Sequence, residues 1–238
     1  MFQTDPFSLI VLLVGLSLLP FVAMVATSYL KIVVVMSLIR NALGIQSIPP
    51  NMVINALAMI LSFYIMAPVM SESWEIAKAE LAAKPAAASA VAPQSAAQPA
   101  TSRSASYVFE TDAVVKAAEP FRAFLSSHTS DRERAFFIHT AERLWAKGDD
   151  EPANVDQDSF YILIPSFCVS ELTKAFQIGF LVYLPFIAID IIVSNILLSM
   201  GMMMVSPVTI SLPFKLLLFV MVDGWTLLIQ GLVRGYIL

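Results

Sequence analysis

Cysteine and histidine are nearly missing from these 238 residues: Cys168 stands alone, and there are only two histidines. One cysteine closes no internal disulfide, so nothing in the fold depends on an oxidising compartment. Cys168, in "IPSFCVS", reads as a buried, inert thiol. Neither "HExxH" nor "CxxC" occurs, and His139, alone within a helical pattern, reads as a surface or packing residue and not a metal ligand. The phosphate loop "GxxxxGKS/T" and the nucleophile elbow "GxSxG" are also missing. Gly44 opens no phosphate cradle, because "GIQSIPP" holds neither further glycines nor a base. Charge is scarce at 13% of residues, against about 25% in a soluble domain. The net charge of −4 comes with no clustered basic face, which argues against nucleic acid. These absences exclude an ATPase, argue against any enzyme and imply no cofactor.

What the chain has in quantity is apolar sequence, 58% of residues, with a mean hydropathy of +0.78. That is a membrane signature. No charge falls between Pro6 and Leu30; Lys31 and Arg40 follow, and Asn41 to Ser71 is again uncharged. Between Glu72 and Asp158 the character reverses, with 14 acids and 9 bases. From Ser159 to Leu238 the sequence is apolar again, broken only by Glu171, Lys174, Asp190, Lys215, Asp223 and Arg234. The expected fold is therefore an all-α membrane protein in three parts. They are an N-terminal apolar hairpin (1–71), a polar insertion (72–158) and a C-terminal apolar hairpin (159–238).

At about 20 residues per crossing, the spans fall near 7–30, 52–70, 178–200 and 212–232. "RNALGIQSIPPN" joins the first pair and "GMMMVSPVTIS" the second. Gly201 suits a helix C-terminus and Pro207 blocks continuation, so Met202, Met203 and Met204 lie at a bend. The first residues lack a basic n-region, and their apolar run exceeds a signal peptide's; they read as a retained segment. Lys31 and Arg40 flank the first connection and place it in the cytoplasm. The insertion and both termini are then outside, and the methionine bend inside.

Within the insertion, 82–106 is Ala/Pro/Ser-rich and reads as a flexible linker. "SDRERAFFIHTAERLWAKG" predicts a helix with Ser130 and Glu133 as a capping box and a stop at Gly148. A preceding helix over 113–127 is predicted to pack against it.

Glu171 and Lys174, three apart, share a helical face, and Asp190, Lys215 and Asp223 each interrupt apolar runs. A charge at a span centre costs about 2.5–3.5 kcal/mol and therefore faces protein or water. Either these charges pair inside one chain, or the hairpin sits against copies of itself, with Glu171 and Lys215 as intersubunit partners. "GLVRG" near the C-terminus adds a small-xxx-small spacing that permits close helix approach.

The stretches "LLPFVAMVATSYLKIVVVMSLIRNALGIQSIPPNMVINALAMILSFYIMAPV" and "SELTKAFQIGFLVYLPFIAIDIIVSNILLSMGMMMVSPVTISLPFKLLLFVMVDGWTLL" resemble the FliP/SctR family of type III secretion and flagellar export gates. The resemblance covers roughly 8–70 and 165–232, and the lack of a cleavable leader looks more like the injectisome members. It implies a homopentamer in the bacterial inner membrane, joined by one copy of a second gate protein and several copies of a two-helix one. These form a shell raised toward the periplasm around a lumen for unfolded polypeptides. It further implies that Met202, Met203 and Met204 close the lumen as a gasket, and that Glu171 and Lys215 bridge subunits. The competing expectation is a four-span small-solute or ion transporter using Asp190 and Asp223; a scaffold without a lumen is a third.

Overall fold

In the computed structural model, residues 6–45, 48–90, 115–145, 155–202 and 204–237 are described, and among them the regular structure is all helix. The 91–106 part of the linker, the Gly148 stop and Met203 lie outside the described residues.

Helix α1 (Pro6–Val25) and α2 (Tyr29–Ala42) are separated by a break at residues 26–28, where the axis bends by 56°. The expected single crossing over 7–30 is therefore two helices. Hydroxyl chemistry accounts for the break. Thr27 Oγ1 donates back to the Ala23 carbonyl (2.6 Å), and Ser28 Oγ donates to Ser62 Oγ (3.1 Å), which donates to Thr27 Oγ1 (3.1 Å). Such side chains offer the backbone an alternative to helical pairing.

Helix α3 (Asn51–Ala90) runs well past the expected end near 70. Its polar continuation is rich in Glu, Ala and Lys, all strong helix formers, with Lys78 and Glu75 paired one turn apart at 3.0 Å. The same propensity carries it to Ala90, into the stretch read from composition as linker.

Helices α4 (Glu119–His128) and α5 (Asp131–Leu144) come from the insertion. Ser130 is extended at the α5 N-cap, but its side chain makes no capping bond; instead its N–H donates to Ser170 Oγ at 2.9 Å. The turn between these helices is thus fixed by tertiary contact in place of the predicted capping box.

Helix α6 (Phe160–Ser199) is one continuous helix of 40 residues, twice the expected crossing. Helix α7 (Pro207–Met221) and α8 (Gly224–Arg234) replace the expected crossing over 212–232 and are bent by 59°. Asp223, at the break, adopts the left-handed conformation (φ 50°, ψ 45°), which Asp tolerates better than most residues. Gly224 is needed beside it, because a Cβ there would sit 2.3 Å from the Phe219 ring.

The core forms around α2. Ile32, Val35, Met36 and Ile39, at helical spacing, are at most 1% exposed and pack between α3 and α6. Close approach is possible because α6 presents Gly179 to Leu38. A second core joins Met66 of α3, Phe124 and Leu125 of α4, and Leu163 and Phe167 of α6. The insertion therefore folds back onto the apolar helices.

Elsewhere the apolar surface is bare. The most apolar windows of α3 and α6 are only 22% and 17% buried. At 1.5 Å per residue, α6 is about 60 Å long, against a hydrocarbon core of ~30 Å. Both long helices meet the length and composition of membrane crossings, and each bent pair adds one if taken as a single span.

Candidate functional site: the methionine bend and the buried charges

Three local features build the bend. Helix α6 ends in a Schellman motif: Met202 N–H donates to the Leu197 carbonyl and Gly201 N–H to the Leu198 carbonyl, both at 3.0 Å. Gly201 supplies the required positive φ of 75°, which a side chain would oppose. Pro207, with φ preset, then starts α7 directly after Ser206. Between them Met202 is 45% exposed and Met204 fully so. Among the described residues nothing covers either side chain well. The bend lies at the same end as the α2–α3 connection, since a Cβ on Gly44 would be 3.9 Å from Val208 Cγ1. At that connection Arg40 donates to the Pro49 carbonyl (3.3 Å) and to Asn51 Oδ1.

Two clusters hold the charges that interrupt the apolar runs. In the first, Glu171 of α6 is wholly buried. Lys31 of α2 lies 3.2 Å from one carboxylate oxygen and Lys174 3.1 Å from the other. Tyr236 donates its hydroxyl to Glu171 and lays its ring beneath Lys31 Nζ, 3.5 Å from the centroid. Lys174 also donates to the His128 carbonyl at 2.7 Å, which ties the end of α4 to α6. Burial first, and then the Glu171 carboxylate, hold the Tyr236 hydroxyl well above its ordinary pKa, so it remains a donor. Lys31, read from sequence as flanking the first connection, thus sits at the opposite end of α2, inside protein; Arg40 alone stands at the connection.

In the second cluster, Lys215 of α7 lies 2.6 Å from Asp190 of α6 and donates to the Ala42 carbonyl of α2 at 3.3 Å. Ser211 donates to the other Asp190 oxygen at 2.6 Å. An ammonium at a helix C-terminus satisfies a carbonyl that has no intrahelical partner and complements the helix dipole. Glu171 and Lys215, expected to meet across subunits, each have partners within the chain and belong to different clusters. Asp190 is committed to α7, and Asp223 is exposed at the α7–α8 bend.

Sequence reasoning placed Glu171 beside Lys174 because three residues separate them. It had no signal for Lys31, Tyr236, Ser211 or the Ala42 carbonyl, which reach their partners from distant elements. Cys168, half-buried, directs its thiol to the Val25 carbonyl at 3.5 Å, beside the α1–α2 break. His139 is exposed next to Glu142. Among the described residues no three Cys, His, Asp or Glu gather as a metal site.

The profile of the FliP family matches residues 12–232. Over 232 residues the chain is 47% identical to the Yop proteins translocation protein R of Yersinia pestis, covering 98% of this chain and 97% of that one. It is 46% identical over 230 residues to the hypersensitivity response secretion protein HrcR of Ralstonia nicotianae, covering 96% of each. Identity to the flagellar biosynthetic protein FliP of Bacillus subtilis is 38% over 228 residues, covering 96% of this chain and 90% of that one.

Proposed function

The chain belongs to the FliP family, and on that premise we propose that it is a pore-forming subunit of a type III export gate. Family members are structural parts of the export apparatus and not enzymes, so this chain acts there as a membrane protein. The finer reading is ours. Five copies ring a lumen in the bacterial inner membrane, together with other gate subunits, and the methionine bends close that lumen until an unfolded polypeptide passes.

One observation carries this reading: exposed apolar side chains run along α6 from Val169 to Leu198, about 44 Å, against a hydrocarbon core of ~30 Å. A solitary protomer leaves that surface in water or headgroups, whereas a ring of copies shelters it. The buried charges add no support for a ring, because Glu171 and Lys215 both find their partners inside one chain. An intersubunit bridge between Glu171 and Lys215 would draw each away from its present partners.

Methionine at the bend suits closure. Its unbranched thioether re-packs around irregular shapes at small cost, so exposed Met202 and Met204 can fill a lumen and then yield to side chains of any kind. Native mass spectrometry of the detergent-extracted complex, co-expressed with its companion subunits, tests the proposal. A multi-copy assembly is expected; free protomers alone overturn it.

A further inference from the structure

The methionine bend hangs from a helix end that holds little else. Of residues 195–200 only Leu197 is buried, and Ile196, Leu198 and Met200 are more than half exposed. Something above the bend must therefore fix where it sits. A polar anchor begins one turn into α7, in the cluster of Asp190, Ser211 and Lys215.

Its geometry is that of a three-way tie. One Asp190 oxygen receives Ser211 Oγ and the other receives Lys215 Nζ, each at 2.6 Å, so the carboxylate on α6 is gripped twice by α7. Lys215 then reaches the Ala42 carbonyl, 3.3 Å away, at the end of α2. Ser211 is wholly buried and Lys215 is 3% exposed, while the Asp190 side chain is 32% exposed, so the donors are shielded from water and the acceptor only in part. The spacing along α7 is one helical turn, which puts both donors on one face. Ser211 lies only four residues past Pro207, one turn from the bend itself. The tie also reaches the neighbouring connection, because Ala42 precedes the left-handed Gly44, and Gly44 faces Val208.

We propose that Ser211, with the Ala42 carbonyl, completes an Asp190–Lys215 latch that sets the height of the methionine bend against the α2–α3 connection. Ser211 is a positioning residue. An apolar contact would let α7 slide on α6, since dispersion is nondirectional. Two charge-assisted bonds to a single carboxylate fix register and rotation together. The consequence for closure rests on the reading of Met202 to Met204 as the gasket; the positioning itself does not.

The experiment uses the assembled complex with Cys168→Ser as background and a nitroxide attached at Met204→Cys. A second labelled protein, Tyr161→Cys, reports on the far end of α6. Ser211→Ala is expected to raise the displaced, fast-moving population at 204 about tenfold, as losing one bond to a charged acceptor predicts, while the spectrum at 161 stays the same. Unchanged spectra at both positions overturn the latch, as does an equal change at both, which marks general loosening. Should Ser211→Ala fail to assemble, Asp190→Asn keeps the side-chain volume and is read the same way. Ion conductance separates the two ideas. If replacing all three methionines with alanine leaves the gate tight, the gasket falls, and the 204 spectrum still decides the latch.

Discussion

Lys31 and Glu171 meet 3.2 Å apart with almost no access to solvent, although 140 positions separate them and both lie in otherwise apolar stretches. The contact closes inside one protomer. It pins the N-terminal turn of α2 to the N-terminal third of α6, with Tyr236 of the C-terminal end sealing the pair.

Removing one partner should be far worse than removing both. Lys31→Met leaves the buried carboxylate with only Lys174 and Tyr236, and a loss of about 3 kcal/mol is expected. Joining it to Glu171→Gln should recover part of that loss. Thermal melts of the detergent-solubilised protein measure the difference.

The Gly179–Leu38 approach gives a steric test. A Cβ at 179 would come within 2.3 Å of Leu38 Cδ1 and 3.2 Å of its Cβ. Gly179→Val should destabilise by about 1–3 kcal/mol through overpacking, and Leu38→Ala should restore much of it in the double variant. Equal melting temperatures for Gly179→Val and the parent would rule out the packing described for α2 against α6.

Met202, Met203 and Met204 replaced together by alanine should raise the resting ion conductance of the assembled gate in planar bilayers. Assembly, judged by mass, should be unaffected, because none of the protein's own core rests on Met202 or Met204.

Alkaline pH should loosen the Tyr236 anchor. The phenol is held above its ordinary value of 10.0 by burial and by Glu171. The unfolded chain therefore releases this proton first. The stability contributed is complete below pH of about 10 and declines above it. Tyr236→Phe should lower stability at pH 8 by about 1–2 kcal/mol, the worth of a bond to a charged acceptor, and flatten this residue's part of the alkaline decline.

Much of the scaffold was legible in the sequence because hydropathy and turn chemistry are local. The apolar runs became α2, α3, α6 and α7, and Gly201 with Pro207 marked the bend now formed by a Schellman motif and a new helix start. The breaks were not legible. The one at Thr27–Ser28 depends on Ser62 of another helix, and the one at Asp223 depends on Phe219 lying over Gly224. Charge partners escaped for the same reason: Glu171 and Lys215 announce that they need protein around them, but not whose. The extent of α3 was also not legible, since the helix runs on to Ala90 in Ala-rich sequence that buries little.

The overlong α6 also bears on how cells handle this chain. Under the ring proposed above, a rod whose greasy flank outreaches the oil layer is an orphan until sisters arrive. On that proposal synthesis should keep step with ring completion, and unmatched copies should vanish before they accumulate.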